Sequence, residues 1–213
     1  MSFSRKFSAE ALSIAGGLVI IGFLLRLSYD AAIVAAAVAC FIIGAVFRPR
    51  RLVGWIPALV VSLTWIAISG DMYAGYNVFK LHILGITAFP IIAWPTALAF
   101  AYLYLVPLVQ AKPWPRRWLY LAAVYSVGII AAEWLGYHLL GVHLEAGKAY
   151  PGWPILDIFH CPWWMQLAYF ANGTVFMGMA SWMERKQDHH APTRTAGAWW
   201  RQMKGGSETV TGS

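Results

Sequence analysis

The sequence predicts an all-α polytopic membrane protein of about six transmembrane helices, with both termini cytoplasmic. Three observations predict it. Of the 213 residues, 60% are hydrophobic and only 12% are Asp, Glu, Lys or Arg, about half the charged share of a soluble domain. Mean hydropathy is +0.58. The apolar residues gather in six stretches, roughly 11–27, 31–47, 52–70, 87–110, 118–140 and 162–183. Each approaches or exceeds the ~17–25 residues that a helix needs to cross ~30 Å of hydrocarbon. Such a composition excludes disorder, a collagen-like fibre and a disulfide scaffold, and it argues against a water-soluble enzyme.

The basic residues orient these elements. Arg5 and Lys6 precede the first stretch, and Arg48, Arg50 and Arg51 join the second to the third. Lys112, Arg116 and Arg117 join the fourth to the fifth, and Arg185, Lys186, Arg194, Arg201 and Lys204 follow the sixth. Alternating sides places 13 of the 16 cationic residues on one face, with only Arg26, Lys80 and Lys148 on the other. The positive-inside rule makes the crowded face cytoplasmic and accounts for the net charge of +7 without nucleic acid. The plasma (inner) membrane is the expected location. A second apolar stretch follows the first almost at once, so an uncleaved first helix is expected rather than a secretory leader.

The organisation reads as a single transmembrane helical domain over 1–186 and a polar, mobile cytoplasmic tail over 187–213. Within that tail, Trp199, Trp200 and Met203 are candidates for resting on the membrane surface, and His189 and His190 read as solvated. The fourth stretch contains Pro90, Pro95 and Pro107, so kinks and freed carbonyls are expected there, with protein or a watered cavity to receive them. Gly16, Gly17, Gly22, Gly128 and Gly173 are expected to let helices approach closely. Cys40 and Cys161 fall at different depths and predict neither a disulfide nor a paired-cysteine metal motif. Two outer connections, 71–86 and 141–161, are long and rich in aromatic residues, the pattern of functional or half-buried loops.

Glu133 stands out. It lies within Ala131-Ala-Glu-Trp-Leu-Gly136, about 22 Å from the inner end of its helix at ~1.5 Å per residue. A carboxyl group in hydrocarbon is costly and is by default a functional candidate facing the bundle interior. Apolar surroundings favour its protonated form, which suits a proton donor near neutral pH. Tyr137 lies one turn further on the same face, and Ser126 two turns before. Tyr137, His138 and Asp157 join Glu133 as candidate catalytic residues, with Tyr137 positioning the acid or relaying its proton. Trp94, Trp134 and Tyr150 are the candidate substrate-binding residues.

No cofactor is expected, although the outer group His138, His143, Asp157 and His160 offers imidazole and carboxylate ligands suited to zinc, iron or manganese. Asp157-x-x-His160 would share one face of a helix. His143-Leu-Glu145 lacks the Pro-Cys-x-x-Cys partner of a deaminase and is set aside. Trp163 and Trp164 fit an interfacial aromatic belt. Gln166, Asn172 and Thr174 suit contacts between helices.

Two stretches resemble small membrane enzymes of carotenoid and isoprenoid metabolism. Ala74-Gly-Tyr76 through Ala88-Phe-Pro-Ile-Ile-Ala-Trp94 resembles the loop and Pro-containing helix of the lycopene-cyclase-domain family. Glu133-Trp-Leu-Gly136 with Gly141, Gly147 and Tyr150 is similar to the acid-glycine-tyrosine pattern of the carotenoid-hydratase family. Together they cover about a third of the chain. Ile91 and Ile92 stand where the cyclases carry paired glutamates, so only Glu133 keeps a counterpart, as proton donor to an alkene.

The resulting expectation is a cofactor-independent membrane enzyme of cyclase, hydratase or isomerase type. Its partners would be membrane lipids and a lipid-soluble, isoprenoid-like substrate. A non-catalytic complex subunit holding a pigment or lipid, with His138 as an axial ligand, is one alternative. A proton-coupled transporter is another, although no inverted repeat accompanies it.

Overall fold

Six α-helices carry most of the chain in the computed structural model, which describes residues 3–109 and 112–190. They are α1 (Phe3–Leu25), α2 (Tyr29–Phe47), α3 (Trp55–Ser69), α4 (Ala88–Leu105), α5 (Trp114–Trp134) and α6 (Trp163–His190). Helix α1 starts well before the expected residue 11 because nothing in Phe3–Glu10 opposes helix formation. Ser28 separates α1 from α2 by holding an extended backbone, and its hydroxyl accepts the Ala31 N–H at 3.2 Å. A cap of this kind satisfies one of the helix's orphan donors, worth about 1 kcal/mol.

Among the described residues, five segments are long and apolar enough to cross a membrane: Phe7–Leu25, Tyr29–Phe47, Pro49–Tyr73, Ala88–Val109 and Trp114–Leu139. The third gains length from 3-10 turns, Pro49–Gly54 and Gly70–Tyr73, at the two ends of α3. Helix α6 has 28 residues, but Gln166, Asn172 and its polar end keep it out of that group. The chain divides after Ser181. Of the second unit, the described part is the helical Trp182–His190. Trp199, Trp200 and Met203 lie outside the described residues.

Within the first unit, α1 packs along α2, α2 along α4, and α4 along α3. One cluster of the core gathers Leu98, Tyr102, Leu121, Phe176 and Met177. A second, near the long loops, gathers Trp65, Tyr73, Ile158, Phe159, Met165 and Tyr169. The glycine expectation holds in part. The Tyr125 ring occupies the space that a side chain at Gly173 would need, and Gly17 faces Ala39 at 3.9 Å. Gly16, Gly22 and Gly128, by contrast, have nothing within 4 Å, so no helix closes on them.

The two long loops meet at one end of the unit. Tyr76 pairs with Leu144 in an antiparallel bridge. The Asn77 and Glu145 amides donate to the carbonyls of His143 and Gly75, each at 3.1 Å. The Asn77 side chain adds two bonds of 2.7 Å, donating to the Gly141 carbonyl and accepting from the His143 amide. The first loop also contains a short hairpin, β1 (His82–Ile83) and β2 (Ile86–Thr87), in the register His82↔Thr87 and Ile83↔Ile86. Its turn, Leu84-Gly85, has φ of 52° and 80°, as a two-residue hairpin requires. Leu84 at the tip is 97% exposed.

The opposite, basic end is tied by Arg48. Its Nε and Nη2 donate to Glu10 of α1 at 2.7 and 3.2 Å. Its Nη1 donates to the Leu103 carbonyl of α4 at 3.2 Å, and its cation lies 4.7 Å from the Tyr104 ring centre. The Tyr104 hydroxyl donates to Glu10 at 3.1 Å. Pro107, four residues after Leu103, has no N–H to offer that carbonyl, and Arg48 supplies the donor instead. At Pro95, inside α4, the neighbouring Thr96 hydroxyl turns back to the Ile92 carbonyl at 2.6 Å. Replacing Arg48 by Met strands Glu10 and the Leu103 carbonyl together. We expect a loss of about 3 kcal/mol, measured by denaturant unfolding in detergent, and a smaller loss for Glu10→Gln, which keeps an acceptor.

Candidate functional site

A cavity of about 760 Å³ lies among α1, α2, α4 and α5, with Tyr169 of α6 and the clasped loops at one end. Its walls are apolar for most of their length: Ile14 and Ile21 from α1, Ile33 and Ile43 from α2, Ala97 and Phe100 from α4, Val124 and Ile129 from α5. Its size falls within the ~300–1,000 Å³ of small-molecule sites. Most of the polar side chains gather at the loop end: Glu133, Tyr76, Tyr137, His160, Cys161 and Tyr169, with Thr96 and Tyr125 further along the wall.

Glu133 occupies the last turn of α5, half-buried and on the cavity wall. No described residue forms a hydrogen bond with it. Its carboxyl lies close enough to act electrostatically on Tyr73, Tyr76, Tyr125, Tyr169 and Cys161, and His160 acts on it in turn. Immediately after Glu133 the helix widens to a π-turn over Leu135–Leu139, in which the Leu140 amide donates to the Leu135 carbonyl at 3.0 Å. Turns of this type recur at functional sites because they re-aim side chains. Here Gly136 and Tyr137 both join Glu133 on the cavity wall. The Leu140 carbonyl, freed at the helix end, accepts the Tyr29 hydroxyl at 2.8 Å.

The groups behind the cavity are fixed by a buried relay. Trp65 Nε1 donates to the Tyr73 hydroxyl at 2.9 Å, which donates to the Tyr169 hydroxyl at 3.2 Å. The Trp94 ring stands 5.2 Å from the Tyr169 ring and lines the cavity. Tyr137 is stacked on His160, with centroids 4.4 Å apart and planes 11° apart, and it touches His143 at 4.1 Å. Gln166 locks the second loop to α6. Its Oε1 accepts Trp153 Nε1 at 2.9 Å, and its Nε2 donates to the carbonyls of Phe159 and Cys161 at 3.1 and 2.9 Å.

Glu133, Tyr137, His160 and Trp94 are thus the sequence-predicted residues brought together on the cavity wall. Trp134, the next residue along α5, is 40% exposed and off the cavity wall. His138 is exposed, with Nε2 2.9 Å from the Leu156 carbonyl oxygen, and it does not line the cavity. Tyr150 offers its backbone carbonyl to His160 Nδ1 at 3.1 Å rather than its ring to the cavity. Ser126 turns its hydroxyl to the Ala122 carbonyl at 2.8 Å.

Asp157 and His160 meet, with Oδ1 3.1 Å from Nε2, but not on a helix. The segment is a loop in which Asp157 and Phe159 adopt φ of 48° and 57°. Gly152 makes the meeting possible, since a Cβ there would fall 2.6 Å from His160 Nε2 and 2.8 Å from Asp157 Oδ1. Among the described residues, no three His, Cys, Asp or Glu side chains converge into a metal-holding group. The cavity residues that sequence reasoning missed as site members are Tyr76, Tyr125, Tyr169 and Cys161. Only tertiary packing brings their separate segments to Glu133.

No protein-family model, curated protein or solved structure matches this chain.

Burial, reinforced by the nearby Glu133 carboxyl, pushes the Cys161 thiol up to about 12. Since the thiolate is the reactive form, iodoacetamide at neutral pH should leave Cys161 unmodified in the native protein. It should alkylate the same residue after denaturation in SDS, read by peptide mass spectrometry.

Proposed function

We propose that this chain is a multi-pass membrane enzyme that transforms a lipid-soluble, isoprenoid-like substrate by proton transfer from Glu133. The observation that carries this reading is a carboxyl group without a hydrogen-bond partner at one end of a long apolar cavity. Protonated, Glu133 donates its hydrogen to one carbon of a substrate double bond. The π electron pair forms the new C–H bond, and the neighbouring carbon is left cationic. The faces of Trp94, Tyr76 and Tyr169 stabilise that cation through their ring quadrupoles.

The cycle closes in one of two ways. Water adds to the cation and returns a proton to the Glu133 carboxylate, giving an alcohol. Alternatively, an adjacent carbon loses a proton to the carboxylate, either directly to give an isomerised alkene or after a second double bond has attacked the cation to give a cyclised one. Both routes restore the acid, and neither requires an oxidant or a cofactor. Tyr137, stacked between imidazoles beside the acid, is the group suited to relay protons. In the membrane, α6 forms a sixth span, both termini lie in the cytoplasm and the clasped loops face outward, as the distribution of basic residues favours.

The test is chromatography with mass spectrometry on lipid extracts from cells that supply isoprenoid precursors. The cells express the native chain, Glu133→Gln or nothing. A lipid formed or consumed only with the native chain is expected. Glu133→Gln should lower its rate at least ~100-fold while unfolding like the native protein. Identical extracts from all three, with the native chain well expressed, overturn the proposal.

A further inference from the structure

The cavity is long. On α4 its wall runs from Phe89 to Leu105, and on α5 and the π-turn that follows it from Val124 to Tyr137. These runs correspond to roughly 24 and 20 Å at ~1.5 Å per residue. Its volume is about 760 Å³ and its walls are apolar for most of that length, which suits a long hydrocarbon chain. The length exceeds the ~15 Å of a single leaflet's hydrocarbon.

The α5 wall carries a stripe of small residues, Gly128, Ala132 and Gly136, at the four-residue spacing that shares one helix face. Glycine inside a helix is destabilising relative to alanine, and elsewhere in this protein a neighbouring ring takes up the space. Tyr102 does so at Gly54, and Tyr125 at Gly173. At Gly128 and Gly136 nothing lies within 4 Å of where a side chain would start, yet both line the cavity. The protein itself leaves that space open. Glu133, also without a partner, projects into the same cavity between them.

The route in follows from what closes each side. Bonds between the two loops secure the loop end. Helix α1 packs along α2 rather than α5. Leu18 of α1 and Gly128 and Ala132 of α5 are exposed while lining the cavity, so its flank between α1 and α5 reaches the exterior.

We infer that the ligand is a single long apolar chain which slides in from the bilayer between α1 and α5. It lies against the α5 backbone over Gly128, Ala132 and Gly136, with its functional end at Glu133. The inference rests on the proposed function only for the role of that acid. Gly128 and Gly136 set the bore.

A photoreactive probe tests this: a neutral, linear prenyl alcohol of about twenty carbons, matched to one leaflet and a little more, bearing a diazirine. The full chain in lipid nanodiscs is irradiated with the probe, and adducts are mapped by peptide mass spectrometry. Adducts are expected on cavity-lining residues of α4 and α5. Gly128→Leu and Gly136→Leu should each cut that labelling at least about fivefold. Gly16→Leu and Gly22→Leu, equally open glycines off the cavity wall, should leave it unchanged.

All four variants add a side chain where space is free, and each is checked for native-like unfolding. Undiminished labelling in folded Gly128→Leu and Gly136→Leu overturns the inference. So do adducts confined to outward residues such as Leu12 and Val19. Glu133→Gln should label like the native chain. If it also retains turnover, the acid chemistry fails while the binding track stands.

Discussion

A charged guanidinium that answers a proline is the interaction on which the basic end of the bundle depends. Pro107 leaves the Leu103 carbonyl without its usual helical donor, and a bare carbonyl is costly in an apolar setting. Arg48 fills that role from α2 at 3.2 Å. The guanidinium then needs a counter-charge, and Glu10 provides it from α1. One missing N–H just beyond α4 is thus answered by a group that ties three helices together. With α1 held at the basic end and α4 held across from it, the space between them becomes the apolar cavity.

The same constraint operates at the other end with neutral groups. The second long loop has little regular structure, so its carbonyls must find donors individually. Gln166 takes two of them with one amide while accepting from Trp153. Asn77 ties the first loop to the second in the same manner. Against this thorough pairing, Glu133 is conspicuous. Its neighbours are hydroxyls and rings already committed to one another, as in the Trp65–Tyr73–Tyr169 relay. Loop carbonyls are paired one by one, whereas the Glu133 carboxyl lines the cavity with no hydrogen-bond partner among the described residues.

How much of this was legible from the residues depends on the range of the interaction. Apolar runs report helices directly, so five spans and the oddity of Glu133 could be read along the chain. Tyr137 followed because it lies one turn away. Features that depend on the path between segments were hidden. Arg48 and Glu10 lie 38 residues apart, and nothing local pairs them. The π-turn after Glu133 reads as ordinary helix because Leu-Gly-Tyr-His-Leu contains no proline, and a single glycine is tolerated within a helix. The Leu84-Gly85 hairpin was concealed by a leucine where asparagine or aspartate is the usual signal. Glycines misled in a more instructive way. Close packing explains Gly173 but not Gly128, since a small residue can make room for a neighbour or for nothing the chain itself provides.

The Arg48 junction also imposes an order on biogenesis. Glu10 and Arg48 belong to the α1–α2 hairpin, which is made before α4, whereas the Leu103 carbonyl follows Arg48 by 55 residues. At a synthesis rate of ~5–20 residues per second, that is a delay of about 3–11 s. Through that interval the α1–α2 hairpin already contains both members of its ion pair, while the acceptor for Arg48 Nη1 has yet to be made. The junction thus joins a local pair to a partner that arrives late.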